Sequence, residues 1–495
     1  MADRDKAKRA DVVVIGGGIA GLVSALELAD RGFSVIVIEA AETVGGALAQ
    51  HTVGGLTLDA GAESFATRNT ATRTLIEELG LADAIETPER TAWIQYPGEP
   101  ASEHARELPV TGMLGIPADP ESKSVTETIG TAGALLALKD HVAPTKKIAA
   151  QRPLSLAQLV EARMGKAVLD KLVRPIVAGV YSAEPEDLDA DLALPGIRKR
   201  LVDAGSLAKA VASMRQAAPA GSAVGSLKGG MHTLVKAVDA ALRERGVTIL
   251  TDTAAHTLER EGEEWVVTIP SRGKGAADAH VVGNAVVLAL PEAEARALLN
   301  GILEVPGEDA VTPEIHLVTL VVDKPELDTA PRGSGVIVAE GAPVQAKALT
   351  HASAKWEWLR EEAGPGTHVI RLSYGKQGDG ADYASWDAQT WRDTALADAS
   401  VLLDTELTGQ DVLDWDRVSW QGAQPSARLG HAARAAAIRE AAHGVPGLAL
   451  TGAWLAGTGL ARVIPDARAR AEALAESLGA PLGEDPGIGD TLGGP

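Results

Sequence analysis

Cysteine is absent from all 495 residues, which excludes disulfides, thiolate metal sites, iron–sulfur clusters and cysteine nucleophiles together. Aromatic side chains are scarce, with nine Trp, four Tyr and two Phe, so Ala, Leu and Val must fill the core. Positive charge is in deficit: 46 Lys plus Arg stand against 67 Asp plus Glu, a formal charge of −21. Binding nucleic-acid phosphates needs a basic face, so this balance argues against nucleic acid as a partner. It leaves room for a local basic pocket that takes an acidic small molecule. Long apolar runs are missing too. Ile129–Leu138 falls far short of the ~20 residues a membrane span needs. The charged start, Met1 to Arg9, and the glycines in the apolar run after it do not read as a secretory signal. The expectation is a cytoplasmic protein, with peripheral membrane contact left open.

The eleven histidines show no metal-ligand spacing. His351 and His368 stand isolated, His431 lies in an Ala/Arg helix, and His443 sits in a glycine-rich turn. No metal site is expected. Serine hydrolysis lacks its G-x-S-x-G turn.

What is present begins with a strand, turn, helix and strand. Asp11–Ile15 is β-branched, Leu22–Arg31 has helical spacing and stops at Gly32, and Phe33–Ile38 is a second strand. Such a βαβ unit has a parallel pair and places the chain in the α/β class. The turn reads Gly16, Gly17, Gly18, Ile19, Ala20, Gly21. In G-x-G-x-x-G the first glycine permits the tight turn and the second lets backbone approach a pyrophosphate. The third lets helix and strand pack closely, and the helix N-terminus offers N–H donors and a positive dipole end. Glu39, ending the next strand, can accept hydrogen bonds from a ribose diol. Together these predict a dinucleotide site.

Residues from about 120 to 220 are rich in Ala, Leu, Lys and Glu at helical spacing, punctuated by Pro153, Pro175, Pro195 and Pro219. They predict an inserted helical unit. Strands are expected again at 247–250, 265–269, 285–290, 316–323, 368–374 and 447–451, with a helix within 382–407. A last helix is expected from about Pro465 to Leu478, with Gly479 at its C′ position. Residues 480–495, dense in Gly, Pro and Asp, are expected to be disordered.

Several stretches carry a resemblance. The pair Gly45-Gly46 after Glu39 and Ala40, followed by Gly61, Ala62, Glu63 and Ser64, resembles the flavoprotein oxidase pattern, which implies FAD rather than NAD. The basic residue usual before the pair is replaced by Thr43 and Val44. Arg174–Leu188, with Pro175, Gly179, Val180 and Tyr181, closely resembles the P-x-x-x-G-V-Y signature of protoporphyrinogen and coproporphyrinogen III oxidases. The likeness continues through Gly205–Leu207, Leu227–Met231, Val287–Pro291, Trp420–Pro425 and Gly452–Gly459, from residue 11 to about 478.

The resemblance implies an α/β architecture of the amine-oxidase-like kind. A Rossmann-like FAD unit would be assembled from 10–90, 225–300 and 412–479, with a mixed-sheet substrate unit from 91–115 and 301–411 and a helical unit from 116–224. It also implies removal of six electrons and six hydrogens from a reduced tetrapyrrole, with oxygen reoxidising the flavin and leaving peroxide. Coproporphyrinogen III is the expected substrate, with protoporphyrinogen IX the alternative. A downstream haem-pathway enzyme is a possible partner. Implied FAD contacts are the glycine turn, Glu39, Ala40, Gly45, Gly46, Gly61–Ser64, Ala255, Trp420, Gly452, Gly459, Leu460, Ala461 and Arg462. The nucleotide scaffold is equally that of FAD amine oxidases and carotenoid desaturases, and a non-catalytic flavin-binding or tetrapyrrole-binding partner shares it as well. Aromatic poverty argues against an amine oxidase's aromatic cage.

Three residues are substrate candidates. Arg68 follows the Glu63–Ser64 segment and can take a propionate in a bidentate pair, or be a surface arginine. Tyr181 can line the cleft or hold a structural hydroxyl. Arg174 can face the substrate or end a helix as a surface charge. The run Arg198–Arg200 reads as a solvated face. The C-terminal motif departs from the family, with Ala461 where Pro is common and Asp466-Ala467 where Ser-Gly is common. Pro465 suggests a helix beginning one turn late, which would leave Arg462 in the preceding loop, either as a fixed cation for the flavin or paired with an exposed acid while the helix N–H groups and dipole act on the flavin.

Overall fold

β-Branched side chains suit extended backbone, and the opening run forms the strand Lys8–Ile15 at the centre of a sheet. The computed structural model describes residues 7–67, 70–109, 112–216, 224–270, 278–307, 314–375, 380–421 and 429–479. Arg68, the tail 480–495 and the pair Gln424 and Pro425 lie outside the described residues. Lys8–Ile15 pairs in parallel with Val35–Ile38 on one side and Ala279–Leu288 on the other. Thr248–Leu250 extends the first side, also in parallel. The far edge of Ala279–Leu288 is shared between antiparallel Glu264–Ile269 and parallel Leu448–Leu450.

This sheet is buried on both faces, which is why its strands read as continuous apolar runs. Val12 and Val14 point toward the helices Ile19–Asp30, His232–Glu244 and Leu460–Leu478. Val13 and Ile15 point the other way, toward Trp265, Ile438 and Trp454.

A second sheet runs Val412–Trp420, Ile315–Asp323, Thr367–Tyr374, Ala348–His351, Gly335–Val338, Trp93–Gln95 and Ala105–Glu107. Strand Val412–Trp420 was grouped from sequence with the nucleotide unit, but it pairs with Ile315–Asp323 in this second sheet. Side chains alternate across a strand, so the sheet has two distinct faces. Val318, Leu320, Leu372 and Tyr374 pack with Trp391 of the helix Ala388–Leu403. Val321 and Val369 pack with Val53, Leu56 and Leu58 of the hairpin Gln50–Val53/Leu56–Asp59. That hairpin follows directly on the Gly45-Gly46 pair.

The helical unit packs around Ile116, Leu159, Leu172 and Val211. Its buried polar centre is Asp140, which accepts from Arg163 Nε at 2.6 Å, Ser206 Oγ at 2.7 Å and the N–H groups of Leu207 and Ala208 at 2.9 and 2.8 Å. The carboxylate thus caps the helix Leu207–Gln216 and pairs a buried guanidinium. The expected solvated face at Arg198 is corrected. Arg198 is buried against Asp191 at 2.5 Å and the carbonyls of Ala149 and Gln151, whereas Lys199 and Arg200 are exposed. Leu135, Leu136, Val142 and Val202 of this unit stand exposed. Among the described residues, no helix is long and apolar enough to cross a membrane.

Candidate functional site

The glycine turn is built by close contacts that a side chain would break. A Cβ on Gly21 would stand 1.9 Å from Gly16 O, and one on Gly16 would stand 2.5 Å from Ala289 O. Gly18 differs: no heavy atom lies within 4 Å of its missing Cβ. It caps Ile19–Asp30, whose first hydrogen bond, Leu22 N–H to Gly18 O, is 3.0 Å. Open space in front of a helix N-terminus is what a pyrophosphate requires. Glu39 accepts from Gly17 N–H at 2.6 Å and Ala41 N–H at 2.8 Å, one bond per oxygen. A carboxylate has about four lone-pair sites, so capacity for a ribose diol remains. Asp252 and Thr253 donate to the carbonyls of Ala41 and Glu39, which brings the Ala255 segment beside Glu39 and Ala40. Gly45 N–H binds Gly17 O at 2.8 Å and Gly46 abuts Gly18, so the second glycine pair closes the turn.

The segment Asp59–Ser64 forms a strap that leaves the hairpin. Each of four carbonyls has a side-chain donor: Arg371 reaches Asp59 O at 3.2 Å and Gly61 O at 2.6 Å, Trp420 Nε1 reaches Ala60 O at 2.9 Å, and Ser226 Oγ reaches Glu63 O at 2.8 Å. Asp59 accepts from Met231 N–H, His232 N–H and His232 Nδ1, all at 2.9 Å. Glu63 pairs with Lys355 Nζ at 2.5 Å and Arg371 Nη1 at 3.9 Å. Burial pushes the Glu63 carboxyl up, but Lys355 and Arg371 outweigh burial and hold it below the usual carboxylate range. Ala62 is exposed. The sequence reading missed Lys355 and Arg371. One signal was present: an arginine between Ile370 and Leu372, in a strand otherwise mostly apolar.

Across the fold, the helix Leu460–Leu478 follows Gly459, whose missing Cβ also faces open space within 4 Å. The expectation of a late start at Pro465 is overturned. Proline lies inside the helix, at its sixth residue, where it has no N–H to return to the carbonyl of Ala461. Arg462 therefore belongs to the first turn. Its Nη2 donates to Leu192 O of the helical unit rather than standing free in a loop. Asp466, at the position of the family's Ser, is held by Arg439 at 2.6 Å and Thr451 Oγ1 at 2.9 Å.

The helix Arg174–Tyr181 has its ends in different places. Tyr181 lines a cavity of about 180 Å³ together with Arg462, His431 and Thr458. Burial, with Arg434 nearby, lowers the His431 pKa and keeps its ring neutral. Arg174 instead lines an open cleft of about 630 Å³ between the helical unit and the edge of the second sheet. It is engaged by Glu184 at 2.6 Å, Glu186 at 2.7 Å and Asp170 at 3.3 Å. The structure thus brings Tyr181 and Arg462 together and leaves Arg174 apart, saturated by carboxylates. Among the described residues, no group of three His, Asp or Glu is placed to hold a metal.

Four of the fifteen aromatic residues form one cluster with a histidine. His316, Tyr374, Tyr383, Trp386 and Trp391 pack with ring centroids 4.7–6.4 Å apart. In register His316 pairs with Ser419 and Ile315 with Trp420. The cluster therefore lies on the opposite sheet face from Trp420, Arg371 and the strap. It is core, not a cage over the nucleotide site.

The family described as "Flavin containing amine oxidoreductase" matches residues 19–477. The coproporphyrinogen III oxidase of Mycobacterium leprae is 28% identical over 470 residues, covering 93% of this chain and 97% of that protein. That of Mycobacterium tuberculosis (strain ATCC 25618 / H37Rv) is 29% identical over 486 residues, covering 94% and 98%. The crystal structure of a provisionally named protoporphyrinogen oxidase from Exiguobacterium sp. 255-15 superposes with a TM-score of 0.79 at 23% identity, over 95% of this chain and 99% of that one.

Proposed function

This chain belongs to the flavin containing amine oxidoreductase family, and on that premise we propose that it oxidises coproporphyrinogen III to coproporphyrin III with FAD. The balance is six electrons and six hydrogens from the tetrapyrrole to three molecules of oxygen, giving three of peroxide. FAD, when bound, supplies the two-electron chemistry and its return to oxygen. The protein's work is then to bind, orient and shield. The N–H groups after Gly18 would hold the pyrophosphate, and Glu39 the ribose. Ala62, the exposed residue of the strap, would lie against the ring system. The first turn of Leu460–Leu478 would present its positive end to the same group. Tyr181 would face the substrate, and Arg68 is the proposed propionate partner.

The observation that carries this reading is the open space at both Gly18 and Gly459, each directly before a helix N-terminus. The near full-length similarity to mycobacterial coproporphyrinogen III oxidases supports the choice of substrate. The exposed Leu135, Leu136 and Val142 support peripheral contact with a membrane surface.

The test is direct. Purified protein loaded with FAD is given coproporphyrinogen III and, separately, protoporphyrinogen IX, and porphyrin fluorescence and peroxide are followed. Faster turnover of coproporphyrinogen III with peroxide release is expected. Preference for protoporphyrinogen IX would overturn the substrate, and absence of turnover with either would overturn the enzyme. Chelators and thiol reagents should leave the rate unchanged.

A further inference from the structure

Two cations from outside the strap, Lys355 and Arg371, pair with the strap's own carboxylate, Glu63. Glu63, Lys355 and Arg371 are 13%, 16% and 15% exposed, so little water screens them. Lys355 ends the short helix Ala352–Lys355 and also lies 4.9 Å over the Trp356 ring. Arg371 points from the strap-side face of its strand, where its two bonds to carbonyls of Asp59 and Gly61 fix its guanidinium. With Glu63 ionised, the cluster carries one net positive charge. Arg462 has been turned away to a carbonyl of the helical unit.

We infer that the Glu63–Lys355–Arg371 cluster is a fixed positive charge that tunes the reduction potential of the bound flavin through the strap. This rests on the reading of the strap as flavin-facing. A buried charge acts over several ångströms because the medium around it polarises weakly. An excess of one cation favours the electron-rich, reduced flavin over the oxidised form. Lys355 and Arg371 are positioning residues with an electrostatic role, not groups that transfer anything.

The charge arrangement predicts opposite signs for opposite substitutions. Anaerobic protein loaded with FAD is equilibrated against a redox dye, and the ratio of reduced to oxidised flavin is read at a fixed dye ratio. Lys355→Met should lower the ratio about tenfold, and Glu63→Gln should raise it by a similar factor. The double variant should return to within about threefold of the parent. Arg371→Lys keeps the charge and should leave the ratio unchanged while lowering the Tm. A purely structural role would move both single variants in the same direction, and that result overturns the inference, as does a ratio unmoved in both. Flavin absorbance and Tm, recorded for every variant, identify any that fail to fold. In that event Arg371→Lys and Arg371→Gln decide, an equal ratio in the two overturning the inference. If the parent itself binds no flavin, the nucleotide-site reading fails and this inference with it.

Discussion

The glycine turn and the strap lie against the same nucleotide fold but are held in opposite ways. The turn is held by its neighbours. Gly16, Gly17 and Gly21 meet backbone or side chains of one βαβ unit, the loop after it and the end of the strand beside it, and Glu39 accepts from Gly17 N–H. The strap is held by strangers in sequence. Its donors stand 312, 310, 360 and 163 residues away. Local geometry can be encoded in a short pattern because sterics act between adjacent residues. A clamp assembled from three distant strands has no such pattern, and its cost of disruption is spread across two sheets.

The largest expected effect breaks the turn. Gly21→Val places a Cβ against Gly16 O at 1.9 Å, so flavin content should vanish and stability should drop by about 3 kcal/mol or more. Gly18→Ala has open space and should keep the parent Tm while losing flavin. Calorimetry and the flavin-to-protein absorbance ratio check both. If Gly18→Ala melts as early as Gly21→Val, the distinction between packed and ligand-facing glycines collapses.

Next comes the clamp. Arg371→Met leaves the carbonyls of Asp59 and Gly61 without donors and should cost about 2–3 kcal/mol in urea unfolding. A loss below about 0.5 kcal/mol would mean the strap is held locally after all.

Glu39→Ala removes the proposed ribose acceptor and should weaken FAD binding by roughly ten- to a hundredfold, at little cost in Tm. Full flavin content after gel filtration would remove Glu39 from the site.

A further test concerns acid stability. His351 Nε2 meets His368 Nδ1 at 3.0 Å, correcting the view of these two as isolated. Burial, with the neighbouring His368, depresses the His351 pKa to about 3. The unfolded chain takes up a proton near pH 6.5 and the folded one does not. Stability from this site is therefore full above pH 6.5 and falls as pH drops toward 3, by roughly 1.4 kcal/mol per unit. His351→Gln should flatten that limb in pH-dependent denaturation; an unchanged slope would place the acid sensitivity elsewhere.

The smallest effect is expected at Arg462. Arg462→Leu loses its bond to Leu192 O and should lower the Tm by a degree or two, roughly 0.5 kcal/mol. The flavin's reduced-to-oxidised ratio should not move. A tenfold fall in that ratio would return to Arg462 the role assigned to the clamp.

Much of the fold was legible. The βαβ start, the helical unit and the later strands follow from β-branching, helical spacing and Gly/Pro punctuation, all of which act over a few residues. Errors fell where a choice depended on distant partners. Residues 412–420, grouped by resemblance with the nucleotide unit and not expected as a strand, join the second sheet through their pairing with Ile315–Asp323. Pro465 reads as a helix start by propensity, yet packing of Val463, Ile464 and Ala467 into the core carries the helix back to Leu460. Arg198 reads as solvated, yet a carboxylate and two carbonyls from elsewhere bury it.

By itself the sequence determined the chemistry of the turn: glycines at fixed offsets between a strand and a helix, with Glu39 after the next strand. The Gly21 approach to Gly16 O and the Leu22 N–H bond to Gly18 O act over a few residues, and Glu39 closes the turn from the next strand of the same βαβ unit. Only the tertiary structure decided which charges meet. It saturated Arg174 with three carboxylates, turned Arg462 to the helical unit, and set Lys355 and Arg371 against Glu63. Coulomb and hydrogen-bond energies depend on separation in space, and two long side chains nearly three hundred residues apart in sequence acquire a separation only when the sheets that carry them are packed.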